Sequence, residues 1–188
     1  MNRKLLKFDG NSYAHFVATK TYKAYPYFRD KSICEILMDE IGFYSRKLGF
    51  MVIGYVIMPD HVHLLIWWDS DEKPELRISD VIGRIKTMTS KRVKRYLFYD
   101  GGIEYLVKLA DVGQPNPSKF RLWQPGYYDF NVYTEGKLLE KLDYMHGNPV
   151  KAGLVASPDN YRWSSYKAYF TEDRQPLRQS DAGEACRR

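Results

Sequence analysis

The spacing of apolar residues along the chain predicts which segments form strands and which form helices. Four runs rich in aromatic and β-branched residues are typical of strands: 13–22, 51–58, 61–68 and 120–133. Three stretches carry apolar residues three or four positions apart, as helices do: 31–48, 78–97 and 135–148. The order strand, helix, strand, strand, helix, strand, helix predicts an α+β fold of the ferredoxin-like split βαβ type. One antiparallel sheet is expected to carry helices on one face, plus an extra C-terminal helix.

The ends of the predicted helices carry residue types that favour helix termini. Asp30 is the expected N-cap of the first helix, and Gly49 is expected to end it. Thr134 is the expected N-cap of the third helix. Asn148-Pro149 is expected to stop that helix, because a proline disfavours the helical conformation of the residue before it.

Length and composition fit one globular domain. The chain has 188 residues, of which 44% are hydrophobic and 28% charged, and these values exclude a wholly disordered protein. The pattern predicts a single domain over 1–169 and a polar tail over 170–188, which is expected to be disordered. The longest apolar run, 62–68, is too short to span a membrane.

The cysteines and the N-terminal sequence bear on the cellular compartment. Cys34 and Cys186 lie far apart in sequence, which argues against a disulfide framework or a multi-cysteine zinc site. The N-terminus is basic but lacks a continuing apolar segment, so a secretory signal is not expected. A cytoplasmic protein without a membrane partner is the simplest prediction.

Charge and aromatic content favour a polyanionic partner. The formal net charge is +6, and sixteen tyrosines contribute to an aromatic content of 15%. Cations that bind phosphates and rings that stack on bases suit single-stranded nucleic acid. The alternative is a basic domain whose strands are rich in tyrosine.

The second predicted helix concentrates this positive charge. It carries six cations with no acid between them: Arg84, Lys86, Lys91, Arg92, Lys94 and Arg95. An uninterrupted basic run favours a track for phosphates. A solvated outer face, the usual fate of a lysine-rich helix, is the alternative.

Two histidines on the third predicted strand are candidate metal ligands. His61 and His63 are two positions apart, so a strand directs both side chains to the same face and Val62 to the other. Two adjacent imidazoles can begin a divalent metal site, which then needs a ligand from elsewhere in the chain. The alternative is a pair of strand histidines on a solvated face.

The third predicted helix separates an apolar face from a polar face with reactive side chains. The polar face carries four residues: Lys137, Lys141, Tyr144 and Asn148. Tyr144 is a candidate nucleophile, although a phenol with a pKa of ~10 needs help from a metal ion at neutral pH. The amide oxygen of Asn148 is one turn away, and the lysines suit a phosphate. An exposed Tyr144 without a chemical role is the alternative, and Tyr127 and Tyr128 are rival nucleophiles.

Several segments resemble a known family of DNA-processing enzymes. Residues 55–65 (YVIMPDHVHLL) resemble the His-hydrophobic-His signature of insertion-sequence transposases that use one catalytic tyrosine. Three further segments are similar to the branch of REP-associated tyrosine transposases: 122–128 (LWQPGYY), 143–155 (DYMHGNPVKAGLV) and 161–166 (YRWSSY). The resemblance covers about 13–169, and the order of these motifs is specific to that branch.

The resemblance implies a reaction and a role for each site residue. His61, His63 and Asn148 match the family's ligands for a divalent metal, Mg²⁺ or Mn²⁺, and Tyr144 matches its nucleophile. The implied reaction cleaves and rejoins single-stranded DNA through a covalent 5′-phosphotyrosine. The implied partners are palindromic hairpins, and the protein is expected to be a monomer or a homodimer.

The chain also departs from the family pattern. Phe130 and Tyr133 stand where relatives often carry His and Arg, so a DNA contact is expected to be lost or moved. His146, close to Tyr144, is expected to face solvent rather than to assist proton transfer. Two other functions stay open, namely a non-catalytic single-strand binder and a metal phosphodiesterase that activates water.

Overall fold

Four strands form one antiparallel sheet in a computed structural model that describes residues 13–100, 109, 113–114 and 116–170. The strands are β1 (Ala14–Lys20), β2 (Met51–Ile57), β3 (His61–Trp67) and β4 (Tyr128–Val132). Their order in the sheet is β2-β3-β1-β4. The helices are α1 (Lys31–Leu48), α2 (Ile78–Arg95), α3 (Glu135–Lys151) and the short α4 (Tyr166–Phe170). This arrangement confirms the predicted α+β split βαβ fold.

The helices cover both faces of the sheet. Side chains of α1 and α2 share one hydrophobic cluster with Val62, Leu64 and Ile66 of β3. Leu65 and Trp67, which point the other way because a strand alternates, belong to a second cluster with the apolar side of α3. The extra helix therefore lies on the opposite face of the sheet from α1 and α2.

The first helix begins and ends where the sequence predicts. The Asp30 side chain accepts a hydrogen bond from the backbone N–H of Ser32 at 2.8 Å, which satisfies one of the free donors of the first turn. Gly49 adopts a left-handed φ of 72°, and its N–H bonds to the carbonyl of Ser45. Glycine reaches this conformation without the steric cost that a Cβ would bring.

The third helix continues past Asn148-Pro149, so the predicted stop is wrong. Pro149 lies within the last turn of α3, where a missing N–H removes one hydrogen bond close to the helix end. The chain leaves the helix at Gly153, which has a φ of 66°. The N–H groups of Gly153 and Leu154 bond to the carbonyls of Val150 and Pro149, both at 2.9 Å. This double capping bond ends the helix one turn later than proline alone would.

The fourth strand is shorter than predicted, because residues 120–127 do not join the regular ladder of the sheet. Trp123 makes only an isolated bridge to Thr21. Lys86 of α2 donates hydrogen bonds to the carbonyls of Gln124 (3.0 Å) and Gly126, which fixes this segment beside the helix. Carbonyls bound to a lysine do not pair with a neighbouring strand, so the regular ladder starts only at Tyr128.

The outer edge of β2 is covered by a segment that follows α3. The N–H of Ile57 bonds to the carbonyl of Trp163 at 2.8 Å, and the N–H of Ser165 bonds to the carbonyl of Tyr55 at 3.0 Å. Short α4 follows directly. The predicted tail over 170–188 lies outside the described residues, apart from the backbone of Phe170. Among the described helices, none combines the length and apolar character needed to cross a membrane.

Candidate active site

Strand β3 directs His61 and His63 to the face of the sheet that α3 covers. Their ring centres are 5.1 Å apart and the ring planes are nearly perpendicular, at 84°. The register places Lys20 opposite His61 and Ala18 opposite His63 on β1. The two imidazoles therefore share one face, as the strand period predicts.

The carboxylate of Asp60 fixes the orientation of His61. Nδ1 of His61 lies 2.7 Å from Oδ1 of Asp60, in the turn between β2 and β3. A carboxylate on one ring nitrogen selects the tautomer that leaves the other nitrogen free to bind a metal. Asp60 lies within the sequence motif 55–65, but the spacing of residues did not predict that it supports His61.

His63 is buried and held in its neutral form. It is 6% exposed, and its ring stacks on Phe16 with ring centres 5.3 Å apart. Burial, reinforced by the nearby charges of His61, Lys141 and Lys20, lowers the pKa of His63 to about 4. Its buried Nδ1 has no hydrogen-bond partner among the described residues. A neutral imidazole with an unsatisfied nitrogen suits a metal ligand.

Tyr144 of α3 lies against His63 of the same chain. The two ring centres are 5.6 Å apart and the rings pack edge to face. The ring of Phe16 also packs against Tyr144, with ring centres 6.0 Å apart. The tyrosine is 45% exposed, so part of this residue is accessible from solvent. The predicted nucleophile and one predicted metal ligand are thus brought together.

Asn148 follows Tyr144 by one helical turn and presents a buried, unsatisfied amide. Its Nδ2 has no hydrogen-bond partner within the described part of the chain. Rotation of the amide group by 180° would place its carbonyl oxygen at this buried position. An amide oxygen is an accepted ligand of Mg²⁺ and Mn²⁺.

These residues fit a divalent cation. The ring centres of His61 and His63 are 5.1 Å apart, a separation at which two imidazoles can bind the same ion at ~2.1 Å. Among the described residues, there is no group of three or more His, Cys, Asp or Glu side chains that could hold a metal ion. The third ligand would therefore have to be an amide such as Asn148, or the DNA itself.

Positive charge surrounds Tyr144 along α3. The ammonium of Lys141 lies 5.1 Å from the ring centre of Phe16 and 4.6 Å from that of Phe130. Lys151 lies 5.5 Å from the ring centre of Tyr144. Sequence reasoning missed Lys151, which is seven positions after Tyr144 on the same helical face, because the helix was expected to end at Pro149. Lys137 instead binds Glu140 at 2.7 Å.

His146 does not face solvent, contrary to expectation. It is 2% exposed, and its Nε2 lies 2.9 Å from Oγ of Ser165. Burial lowers the pKa of His146 to about 4. The expectation failed because the segment around Ser165 folds back over this side of α3, which the periodicity of the helix does not reveal.

Comparison with known proteins agrees with the fold. Residues 10–99, which include His61 and His63, match the family described as "Transposase IS200 like". Just under half of the chain is therefore similar to this family. Tyr144 and Asn148 follow the matched range.

Two further similarities extend beyond the range matched by the family model. The chain is 24% identical over 121 residues to a REP-associated tyrosine transposase of Haemophilus influenzae, with 62% of this chain and 59% of that protein covered. It therefore spans about three-fifths of the length of that relative. The structure of a REP-associated tyrosine transposase bound to a REP hairpin has a TM-score of 0.59 and 16% identity, covering 88% of this chain and 83% of the other. At this identity the similarity establishes the shared fold.

The rival tyrosines Tyr127 and Tyr128 lie at the start of β4, two strands away from β3 in the sheet. Tyr128 pairs with Ala18 on one side of β1, and His63 pairs with Ala18 on the other. The backbones of Tyr128 and His63 are therefore separated by two strand spacings, about 10 Å. Tyr127 lines a groove beside α2 instead. Of these three tyrosines, Tyr144 has the described ring contact with His63.

The basic helix α2 lies on the other face of the sheet from Tyr144. Its six cations differ in their surroundings. Arg92 bonds to Asp39 and Glu40, both at 3.0 Å, and Lys86 is occupied by backbone carbonyls. Arg84 and Lys91 are exposed. The structure does not bring this helix together with the histidines, and the predicted phosphate track stays a prediction.

Proposed function

We propose that this chain is a metal-dependent transposase that nicks and rejoins single-stranded DNA through a covalent 5′-phosphotyrosine on Tyr144. The observation that carries the proposal is the ring contact between Tyr144 and His63, with ring centres 5.6 Å apart. A tyrosine on a helix face, next to two histidines on a strand, joins a nucleophile to a candidate metal site. The similarity of residues 10–99 to IS200-like transposases supports this proposal.

His61, His63 and Asn148 are the residues that would hold Mg²⁺ or Mn²⁺. A bound divalent cation supplies Lewis-acid polarisation of the phosphate and stabilises charge on its oxygens. Asp60 holds the ring of His61 in place through the 2.7 Å contact to Nδ1. Burial keeps His63 neutral, so its nitrogen stays available as a ligand.

Tyr144 performs the exchange of phosphodiester bonds. Its phenolic oxygen attacks the phosphorus, the bond from phosphorus to the 3′ oxygen breaks, and the phenolic proton leaves to the solvent or to the released 3′ oxygen. One phosphodiester replaces another, so no water or nucleotide cofactor is consumed. Attack of a 3′ hydroxyl on the phosphotyrosine reverses these steps and joins the strands.

The substrate we propose is a single strand close to a palindromic hairpin. The similar structure contains a REP-associated tyrosine transposase bound to a REP hairpin, which motivates this choice. The lysines of α3 and the net charge of +6 favour a polyanion. Tyr144 touches the histidine of its own chain, which favours an active site built within one protomer.

The proposal is tested by a denaturing gel of protein incubated with 3′-labelled hairpin DNA and Mn²⁺ or Mg²⁺. A labelled band that migrates with the protein is expected from the wild type and absent from Tyr144→Phe and His61→Ala. Tyr99→Phe is the matched control, since Tyr99 is 72% exposed at the end of α2. A chelator is expected to abolish the band, and either metal to restore it.

Two outcomes would support the other functions. Cleavage that persists in Tyr144→Phe without a protein-bound product favours a metal phosphodiesterase that uses water. Tight binding without cleavage, across several hairpins and both metals, favours a non-catalytic binder. Either outcome contradicts the proposal.

A further inference from the structure

Lys141 differs from the other lysines of α3 in how its charge is held. Its ammonium lies over two rings, 4.6 Å from the centre of Phe130 and 5.1 Å from that of Phe16. Aromatic rings attract a cation without using up its N–H donors. Among the contacts of the described residues, Lys141 has no hydrogen bond or ion pair, whereas Lys137 is paired with Glu140. The three donors of its ammonium therefore remain free for a ligand.

Phe16 links Lys141 to the active site. The same ring packs against His63 at 5.3 Å and against Tyr144 at 6.0 Å. A lysine held in this way is positioned before DNA binds, so less side-chain entropy is lost on contact.

Lys137 has lost this freedom. Its ammonium binds both carboxylate oxygens of Glu140, at 2.7 and 2.9 Å, so its charge is compensated. Lys151 lies over the ring of Tyr144 itself, near the end of the helix. Lys141 differs from both: it has no ion pair within the described residues, and it is held by Phe16, which packs against both His63 and Tyr144 rather than being the nucleophile itself.

We propose that Lys141 is a catalytic cation that binds a non-bridging oxygen of the phosphate attacked by Tyr144. This inference rests on the proposed function. As the phenolic oxygen bonds to phosphorus and the bond to the 3′ oxygen breaks, negative charge increases on the non-bridging oxygens. A preorganised ammonium stabilises this charge more in the transition state than in the bound substrate.

The test separates the rate of the chemical step from DNA affinity. Formation of the covalent product is followed in a single turnover with saturating 3′-labelled hairpin DNA, and the Kd is measured by fluorescence anisotropy. Lys141→Gln is expected to slow the reaction by roughly 10²–10³-fold, the usual loss when one such donor is removed. The Kd is expected to change by less than about threefold, because one contact to a single-stranded phosphate adds little to affinity.

A substrate with altered charge distinguishes catalysis from a structural effect. A methylphosphonate at the cleaved position replaces one non-bridging oxygen by a neutral methyl group. On this substrate the difference between the wild type and Lys141→Gln is expected to shrink to about tenfold or less, because there is less charge to stabilise. Lys141→Arg, which keeps the charge, is expected to recover part of the rate.

Lys47→Gln is the matched control, because Lys47 also lies over a phenylalanine ring, 5.5 Å from the centre of Phe43, but on α1. If Lys141→Gln lowers the Tm, Lys141→Met is used in its place, because methionine keeps the alkyl part of the side chain against both rings. An unchanged rate in folded Lys141→Gln or Lys141→Met overturns the inference. A rate difference between the wild type and Lys141→Gln that is as large on the methylphosphonate as on the natural phosphate overturns it too. A wild type that forms no covalent product overturns the proposed function itself, and the inference with it.

Discussion

Asp60 holds one nitrogen of His61, and this contact sets how well the pair of histidines can bind a cation. Nδ1 of His61 lies 2.7 Å from the carboxylate, which is partly exposed. A carboxylate raises the basicity of the imidazole as well as fixing its ring. The metal affinity of the site should therefore depend on a side chain that is not itself a ligand.

The change Asp60→Asn is expected to raise the Mn²⁺ concentration needed for half-maximal cleavage by about 10- to 100-fold. The amide keeps a hydrogen bond to Nδ1 but loses the negative charge. Titration of cleavage activity with Mn²⁺ measures this shift. Asp71→Asn, in the loop after β3, is the matched control. An unchanged metal requirement in Asp60→Asn would show that the carboxylate does not support a metal ligand.

At the scale of elements, a glycine on β2 lets α3 approach the sheet. A Cβ at Gly54 would lie 2.6 Å from Cδ2 of Leu142 and 3.2 Å from Sδ of Met145. Both side chains are buried, so they have little room to move. Gly54 therefore helps to set the distance between α3, which carries Tyr144, and the strand that carries the histidines.

The substitution Gly54→Ala is expected to destabilise the protein by about 1–3 kcal/mol through overpacking. It should also lower cleavage in the fraction that remains folded, because α3 must move away from His63. Thermal unfolding and single-turnover cleavage measure the two effects. Gly136→Ala, where the new Cβ meets nothing within 4 Å, is the control and should not lower stability. Full activity of folded Gly54→Ala would contradict this role for the close contact.

Elements whose boundaries depend on local chemistry could be predicted from the sequence. Asp30 and Gly49 end α1 as expected, because a side-chain cap and a left-handed glycine act within a few residues. The extent of α3 beyond Pro149 and the departure of 120–127 from the sheet could not be predicted in this way. Both depend on hydrogen bonds to groups that only the folded chain brings close.

The candidate site shows the same division. The strand period predicts that His61 and His63 share one face of β3. The helical period predicts that Tyr144 and Asn148 share one face of α3. That the two faces meet follows from the packing of α3 on the sheet, which no local pattern contains. The burial of His146 was mispredicted for this reason, since its partner Ser165 is nineteen residues away.

At the scale of the whole molecule, the positive charge is divided between two faces of the sheet. Lys141 and Lys151 accompany Tyr144 on one face, and α2 lies on the other. DNA that touches both must pass around an edge of the sheet. Exposed Arg84 and Lys91 are candidates for such a distant contact, whereas Arg92 is engaged by Asp39 and Glu40.

Salt dependence of DNA binding distinguishes these cations. Arg84→Gln and Lys91→Gln should each weaken binding and reduce the slope of log Kd against log salt by about 0.7, the value for one phosphate contact on a single strand. Arg92→Gln should instead lower the Tm, because it leaves the nearly buried Glu40 without its partner. Fluorescence anisotropy at several salt concentrations gives the slopes. Unchanged slopes in both α2 variants would contradict a DNA contact on that face.

The position of the covalent bond to DNA is the most direct measurement of the chemistry proposed for Tyr144. Trypsin releases 142–151 (LDYMHGNPVK), which contains Tyr144 as its single tyrosine, whereas Tyr127 and Tyr128 lie on 122–137. Mass spectrometry of the trapped and digested adduct is expected to find the nucleotide mass on 142–151. A nucleotide on 122–137, or cleaved DNA with no modified peptide, would contradict a reaction in which Tyr144 attacks the phosphate beside His61 and His63.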